Sequence, residues 1–295
     1  MTLKGTVMGK LIVLCPNPYR DTELEITLNL RSLLENAGHE TAICPIFDTE
    51  EGSVVPEDVD KTRLMSVIGR AYLIIVIGGD GTILHAARAA ARHGVPVIGV
   101  NAGTKGFMAA LEPGDLDYAV KAAGGEYIEK RRMMLDVSLV RDGQTIVTDC
   151  AINDAVIHGF GDCIRMTAWC DGDKVTSFSG DGIILATPTG SSAYSLSAGG
   201  PLVEPTAHNI IMTPICVHAM SAKSFVLSPE RVVSVRAEKL HGRRAFLTVD
   251  GNEQVELVND DILRVRKSDH EVIMADVGLR SFYDIAFEKL IERER

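Results

Sequence analysis

The chain has 295 residues, of which 46% are hydrophobic and 24% charged, and this is the composition of a folded protein large enough for two domains. No segment approaches the ~20 consecutive apolar residues that a membrane-spanning helix needs. The formal net charge of -10 argues against a general nucleic-acid binder, although it allows a small anionic ligand in a locally positive pocket. The six cysteines contain no Cys-x-x-Cys pair, so their spacing predicts neither a zinc site nor a redox motif.

The first hundred residues alternate between apolar, strand-like runs and helical patterns. The predicted strands cover residues 11–15, 41–46, 72–77 and 97–100, and the predicted helices cover residues 23–37 and 83–92. This order predicts a Rossmann-like α/β domain with a parallel sheet. The run at residues 11–15 is too short for the core of a signal peptide, so we expect a cytoplasmic protein.

After about residue 110 the pattern changes to short β-like segments. Asp-Gly dipeptides that favour turns separate many of them, at residues 142–143, 171–172 and 250–251. Short strands joined by such turns predict an all-β, sandwich-like second domain.

The last residues, 281–295, return to a helical pattern, with Ser281 and Asp284 spaced as a capping box. We expect this helix to return to the first domain. The predicted domains are therefore an α/β domain over residues 1–110 and 279–295, and a β-rich domain over residues 111–278.

A glycine-rich segment, Gly-Gly-Asp-Gly-Thr at residues 78–82, lies between the predicted third strand and the second helix. Ligands of open α/β sheets bind at the carboxyl ends of the strands, where N–H groups at a helix start point towards an anion. Gly78, Gly79 and Gly81 let the backbone approach a phosphate and can adopt positive φ. With Thr82 they predict a phosphate loop, although the spacing is neither that of a Walker A loop nor that of a dinucleotide fingerprint.

Asp80 is unexpected in such a loop, because a carboxylate repels phosphate. Two functional roles fit: Asp80 takes the proton from an attacking hydroxyl, or it holds a magnesium ion that neutralises the phosphates. The structural alternative is that Asp80 only caps a helix that begins near Thr82.

The loop resembles the Gly-Gly-Asp-Gly-Thr signature of the superfamily that contains NAD kinases and the diacylglycerol and sphingosine lipid kinases. Phosphofructokinases have a related loop, so the resemblance implies a phosphofructokinase-like first domain. It also implies that Asp80 is the general base. These five residues alone leave the branch of the superfamily open.

Two segments of the second domain resemble NAD kinases in particular. Asn153 and Asp154 resemble the family's Asn-Glu/Asp motif, and residues 179–201 match its longest motif nearly throughout. From the side chains alone, Asn153 suits the edge of an adenine because an amide both donates and accepts, and Asp154 suits ribose hydroxyls because a carboxylate only accepts. An Asx-type turn at the end of a strand is the structural alternative for this pair.

The resemblance implies a set of NAD-binding residues, with Asp181 at the nicotinamide end and often contributed by a neighbouring subunit. His85 and Asn252 rank below the others, and His85 would reach a phosphate. The implied NAD-binding residues are Asp80, Gly81, His85, Asn153, Asp154, Asp181, Thr189, Ser192, Ala193, Tyr194, Ser195, Leu196, Ser197 and Asn252.

The resemblance implies transfer of a phosphoryl group from ATP, another nucleoside triphosphate or polyphosphate to the 2′-hydroxyl of the adenosine ribose of NAD, giving NADP. It further implies a magnesium ion bound with the nucleotide phosphates, with no metal fixed by the protein alone. We expect a homodimer or homotetramer with no nucleic-acid or membrane partner. Two alternatives stay open at this point: a lipid kinase with the same loop, and a catalytically silent NAD(P)-binding sensor.

Overall fold

The structure is a computed structural model that describes residues 9–46, 62–103, 106–217 and 223–293, with side chains up to residue 288. The chain divides into two compact units. The first unit comprises Met1–Arg131 and Val272–Arg295, and the second comprises Arg132–Glu271.

Six α-helices and sixteen strands are found in the described part of the chain. The helices are α1 (Glu25–Asn36), α2 (Leu64–Val67), α3 (Asp80–Ala91), α4 (Leu116–Gly124), α5 (Tyr194–Ser197) and α6 (Phe282–Arg293). The strands are β1 (Leu11–Pro16), β2 (Glu40–Ile43), β3 (Leu73–Gly78), β4 (Val97–Asn101), β5 (Ile128–Arg141), β6 (Gln144–Ala151), β7 (Asp154–Gly159), β8 (Ile164–Cys170), β9 (Asp173–Gly180), β10 (Gly182–Ala186), β11 (Ile210–Ile215), β12 (Phe225–Leu227), β13 (Val233–Glu238), β14 (Ala245–Val249), β15 (Val255–Glu256) and β16 (Ile262–Asp276).

The first unit is built on a parallel sheet, as the sequence predicts. Its strand order is β2-β1-β3-β4, and the last residues of β16 pair with β4 in parallel. Strands β1, β3 and β4 are buried along their whole length, which is why their sequences are apolar on both faces. Helices α1 and α4 contribute to one core against the sheet, while α3 packs on β3 and β4.

The elements of the first unit differ from the predicted ones at their ends. Strand β2 begins one residue before the predicted strand at residues 41–46 and ends at Ile43, three residues before the predicted end. Helix α3 begins at Asp80, earlier than predicted. Helix α6 has the predicted capping box: the Ser281 hydroxyl accepts the N–H of Asp284 at 3.1 Å, and the Asp284 carboxylate accepts the N–H of Ser281 at 3.0 Å.

The boundaries between the two units fall after residues 131 and 271. The domain boundaries predicted from the sequence fall after residues 110 and 278. Helix α4 extends the first unit because its buried residues Leu116 and Ala119 join the same core as β1 and β3. The end of β16 belongs to the first unit because Met274 pairs with Val97 of β4.

The second unit is a β-sandwich, as predicted. One sheet has the order β12-β11-β10-β7-β14-β15, with antiparallel neighbours throughout. The other contains β13 between β8 and most of β16, with β9, β5 and β6 beside them. Alternate apolar residues of both sheets form one core, for example Ile183 of β10 and Val235 of β13.

The first of these sheets has a second apolar layer on its outer face. Val156, Ile184 and Ile211 point away from the main core and pack with Ala198 and Val203. The segment after β10 therefore covers this outer face and is held close to the start of β7. None of the helices in the described residues has the length and apolarity that crossing a bilayer requires.

Candidate active site

The Gly-Gly-Asp-Gly-Thr segment forms the turn from β3 into α3. Thr82 is buried, and its Oγ1 accepts a hydrogen bond from Asn17 Nδ2 at 3.0 Å. A Cβ at Gly78 would lie 2.6 Å from Thr82 Oγ1, so only glycine allows the helix start to approach the strand this closely. Gly79 and Gly81 have open space where a Cβ would stand, which leaves room for a ligand beside the backbone.

The glycines of this loop could adopt positive φ, but the structure does not use that freedom. None of Gly78, Gly79 and Gly81 is among the positive-φ glycines, and Gly79 has φ -95°. Close approach to Thr82 requires glycine at Gly78 alone, because a Cβ at Gly79 or Gly81 would meet no neighbouring atom.

Asp80 is the first residue of α3, and its carboxylate turns away from that helix. Its Oδ2 accepts the N–H of Phe107 at 2.7 Å, and its Oδ1 accepts the N–H of Met108 at 3.0 Å. It makes no capping hydrogen bond to α3, so a capping role is wrong as the reason for this residue. Two backbone donors hold the carboxylate at the carboxyl edge of the parallel sheet, where ligands of this fold class bind.

Gly106 allows Asp80 to be held in this way. A Cβ at Gly106 would lie 1.9 Å from Asp80 Oδ1 and 2.4 Å from Asp80 Cγ, so any side chain there would displace the carboxylate. His85 lies on the exposed side of α3, in the second turn of the helix after Asp80.

Asn153 and Asp154 stand at the start of β7 in the second unit. Neither side chain has a hydrogen-bond partner in the described part of the chain, so both have their polar atoms available for a ligand. Asp154 is only 7% exposed. Burial, together with the negative charge of Asp250, raises the pKa of the Asp154 carboxyl to about 7.

The predicted residues of the 189–197 segment differ in what their side chains contact. Thr189 is buried, and its Oγ1 has no hydrogen-bond partner among the described residues. Ser192 Oγ donates to the Thr189 carbonyl at 3.2 Å. Ser195 is fully buried and its hydroxyl pairs with Thr213 Oγ1 at 2.9 Å, so its side chain faces the protein interior rather than a ligand.

The other members of this segment lie nearer to solvent. Tyr194 is 46% exposed, Ser197 is exposed, and Ala193 and Leu196 are half-buried. Their place on the short helix α5, directly after the turn at residues 187–190, follows from the Pro and Gly that end β10.

A cavity of about 640 Å³ opens on the second unit and brings three predicted residues together: Asp181, Tyr194 and Asn252. His158 and Cys216 also line it. The Asp181 carboxylate accepts hydrogen bonds from two thiols: Cys163, whose Sγ lies 3.7 Å from Asp181 Oδ1, and Cys216. The bond to Asp181 and its negative charge raise the pKa of Cys216, which favours the protonated thiol as a donor.

The sequence does not predict what three residues that shape these sites contact: Gly106, Thr187 and Asp250. Gly106 accommodates Asp80, while Thr187 and Asp250 hydrogen-bond the backbone beside Asn153. The Asp-Gly dipeptide at residues 250–251 predicts a turn, but this local pattern does not predict which backbone groups the Asp250 carboxylate binds. The described residues contain no cluster of three His, Cys, Asp or Glu side chains that could hold a metal ion.

These features define a class of protein. A parallel α/β unit that holds a carboxylate in a strand–glycine loop–helix turn, with a β-sandwich that presents an amide and a carboxylate, is suited to phosphoryl transfer involving a nucleotide. The family model described as the ATP-NAD kinase N-terminal domain matches residues 15–123, and that described as the ATP-NAD kinase C-terminal domain matches residues 153–277. The chain belongs to the NAD kinase family.

Named relatives support this membership, and two solved structures share the fold. The NAD kinase of Ruminiclostridium cellulolyticum is 36% identical over 288 residues, which are 97% of this chain and 99% of the relative. That of Heliobacterium modesticaldum is 41% identical over 239 residues, or 80% and 82% of the two chains. The fold is similar to yeast NADH kinase in complex with NADH, with a TM-score of 0.79 and 23% identity over 94% of this chain and 85% of that one. An Archaeoglobus fulgidus NAD kinase in complex with ATP has a TM-score of 0.72 and 23% identity over 94% and 98%.

Proposed function

We propose that this enzyme, which phosphorylates NAD to NADP, uses ATP as donor and Asp80 as the general base. The observation that carries the proposal is the Asp80 carboxylate, held by the N–H groups of Phe107 and Met108 at the carboxyl edge of the sheet. In the reaction the 2′-hydroxyl of the adenosine ribose attacks the terminal phosphorus of ATP, its proton passes to Asp80, and ADP leaves. A positioned base of this kind contributes about 10²- to 10⁴-fold to the rate.

The second unit supplies NAD recognition in this proposal. Asn153 meets the adenine edge and Asp154 accepts from ribose hydroxyls, because their side-chain polar atoms have no partner among the described residues. Asp181, Tyr194 and Asn252 line a cavity that suits the nicotinamide half. Thr189 adds a buried hydroxyl that lacks a partner within the described residues.

The donor phosphates meet the turn at residues 78–82, where Gly79 and Gly81 leave the backbone open and the N–H groups of α3 point outwards. An archaeal relative has been solved with ATP, which supports ATP as the donor. Magnesium enters this proposal as an ion carried mainly by phosphate oxygens and water, which are the ligands that Mg²⁺ prefers in nucleotide sites. When bound, it would offset the negative charge of the phosphates.

The cytoplasmic location and the assembly into a homodimer or homotetramer also stay as proposals. A neighbouring subunit that contributes Asp181 would link the assembly to the nicotinamide end of the site. Size-exclusion chromatography with light scattering measures the assembly directly.

The decisive experiment compares wild type with Asp80→Asn in a coupled assay for NADP, supplied with NAD, ATP and magnesium. We expect wild type to form NADP and the variant to lose nearly all turnover while it still binds NAD in a calorimetric titration. Wild-type-like turnover in Asp80→Asn would exclude Asp80 as the base. A wild-type chain that binds NAD and forms no NADP would instead support a catalytically silent sensor.

A further inference from the structure

Residues 152–154, which carry the Asn-Asp pair, have all their backbone N–H groups bound by one carboxylate. Asp250 Oδ2 accepts the N–H of Ile152 at 2.8 Å. Asp250 Oδ1 accepts the N–H of Asn153 at 2.8 Å and that of Asp154 at 3.0 Å. Three consecutive donors converge on one side chain, so the loop can move little without losing charge-assisted hydrogen bonds.

The carbonyl groups of the same three residues are also paired. Thr187 Oγ1 donates to the Ile152 carbonyl at 2.5 Å, and the Thr187 N–H donates to the Asn153 carbonyl at 2.8 Å. The Asp250 N–H donates to the Asp154 carbonyl at 2.9 Å. Two residues therefore provide partners for all six backbone polar groups of the loop, and the side chains of Asn153 and Asp154 remain available for a ligand.

The conformation of Asp250 explains how its carboxylate reaches this place. Asp250 and Gly251 have φ of +49° and +72°, and the N–H of Asn252 bonds the carbonyl of Val249 at 3.0 Å, as in a type I′ turn. The left-handed backbone interrupts the ladder between β14 and β7. The Asp250 carboxylate then accepts the Asp154 N–H that a backbone carbonyl accepts in a regular antiparallel pair.

A second Asp-Gly turn in the same unit provides a matched comparison. Asp171 also has a left-handed φ of +51°, is followed by glycine, and accepts a backbone N–H, from Val232 at 2.8 Å. Its carboxylate additionally pairs with Arg231 at 2.8 Å. Asp171 thus shares the turn and the capping function with Asp250 but contacts no residue of the 152–154 loop.

We propose that Asp250 and Thr187 are positioning residues for NAD: they fix the backbone of residues 152–154 so that Asn153 and Asp154 meet the adenosine half of NAD in one geometry. This inference rests on the proposed function, because it assigns the NAD contacts to Asn153 and Asp154. Neither positioning residue needs to touch the substrate. A displacement of about 1 Å in such a site costs on the order of 100-fold, so loss of either residue weakens NAD recognition severely.

The test uses Asp250→Asn, the pair Thr187→Val and Thr187→Ser, and the control Asp171→Asn. Asparagine at 250 keeps one oxygen but turns an amide towards the Ile152 N–H, and valine at 187 keeps the shape of threonine without its hydroxyl. We expect KM for NAD to rise about 10- to 100-fold in Asp250→Asn and Thr187→Val, with KM for ATP within about twofold of wild type. Thr187→Ser, which retains the hydroxyl, and Asp171→Asn should both keep the wild-type KM for NAD.

A purely structural role gives a different result, because it lowers the melting temperature without a selective change in KM for NAD. A folded Asp250→Asn or Thr187→Val enzyme with wild-type KM for NAD overturns the proposal. If Asp250→Asn does not fold, Thr187→Val and Thr187→Ser still test the proposal. Absence of NADP formation by wild type would refute the proposed function instead, so the two failures are distinguishable.

The pH profile gives a second readout that a structural role would not move. Asp250→Asn removes a negative charge that raises the pKa of Asp154, and it leaves in place Tyr194, whose own pKa is raised mainly by burial. We expect the pH at which KM for NAD changes to move to lower values in this variant. An unshifted profile would count against a direct influence of Asp250 on Asp154.

Discussion

The two carboxylates to which we assign chemistry, Asp80 and Asp154, have opposite surroundings. Asp80 is partly exposed and accepts two backbone N–H groups, from Phe107 and Met108. Asp154 is buried, has no hydrogen-bond partner for its side chain among the described residues, and lies near the negative charge of Asp250. In the proposed mechanism, these different environments suit the same functional group to different roles, a base at the reacting hydroxyl and a titrating acceptor for the sugar.

The titration of Asp154 predicts that NAD binding depends on pH near neutrality. The ionised carboxylate accepts from ribose hydroxyls, and its pKa of about 7 means that much of it is protonated below that value. We expect NAD affinity to rise between about pH 6 and pH 8, and binding at pH 7 to release a proton. Calorimetry in two buffers of different ionisation enthalpy measures that release, and Asp154→Asn should abolish it. Proton release that persists in Asp154→Asn would assign the titration to another group.

The same shift affects the stability of the unliganded protein in the opposite direction. The folded-state pKa of Asp154 is raised from 3.8 to about 7, so the folded protein holds a proton that the unfolded chain releases. This contribution to stability is fully present below about pH 4 and is lost as the pH rises through about 7. In the proposed complex, hydrogen bonds from the ribose of NAD would therefore stabilise the ionised Asp154 carboxylate, which burial disfavours when no ligand is bound.

At the scale of elements, the order of strand, glycine loop and helix predicts where the site lies, although the predicted ends of the strand and the helix are inexact. The apolar run before residue 78 identifies β3, and the glycines identify the turn, because both signals are local. What Asp80 contacts depends on Phe107 and Met108, more than 25 residues away, and no periodicity reports such a contact. The same is true of Asp250. The Asp-Gly dipeptide predicts its turn, but no local pattern predicts that its carboxylate accepts three backbone N–H groups from a distant part of the sequence.

The packing of Gly106 against Asp80 predicts a large effect from a single methyl group. In Gly106→Ala the new Cβ would lie 1.9 Å from Asp80 Oδ1, so either the carboxylate or the loop must shift. We expect kcat to fall by about 100-fold or more, as a 1 Å displacement of a reacting group costs about that much. Steady-state kinetics at saturating NAD and ATP measure the loss.

Gly114→Ala is the matched control for this substitution. Gly114 lies in the same unit, in the short turn before α4, and has open space where a Cβ would stand. We expect it to keep the wild-type kcat. If Gly106→Ala were as active as Gly114→Ala, the carboxylate would not need its present position.

At the scale of the whole molecule, each unit has its own core and its own part of the proposed chemistry. The first unit buries apolar residues on both faces of a parallel sheet and carries Asp80, and the second buries them between two sheets and carries Asn153 and Asp154. Periodicity predicts both architectures because it reports burial on one face or two. It does not predict that α4 joins the first unit, since that depends on which core receives an apolar helix face.

Ligand linkage gives a prediction that involves the whole chain. If NAD binds only the folded protein, NAD at about 100 times its Kd raises the free energy of unfolding by about 2.7 kcal/mol. With an unfolding entropy of about 2.1 cal/mol/K per residue, 1 kcal/mol corresponds to about 1.6 °C for a chain of 295 residues, so we expect NAD to raise the melting temperature by roughly 4 °C. Differential scanning calorimetry with and without NAD measures the shift.

The size of the NAD-dependent shift in melting temperature distinguishes variants that weaken NAD binding from variants that impair only the chemical step. Asp80→Asn should keep the full shift, because Asp80 acts on the reacting proton, whereas Asp250→Asn should show a smaller shift at the same NAD concentration. Asp171→Asn should have a lower melting temperature without NAD, because it loses the acceptor of the Val232 N–H and the partner of Arg231. Addition of NAD should still raise its melting temperature by the full amount. If Asp80→Asn lost the shift, Asp80 would be needed for NAD binding itself, and its assignment as a base that acts only in the chemical step would be wrong.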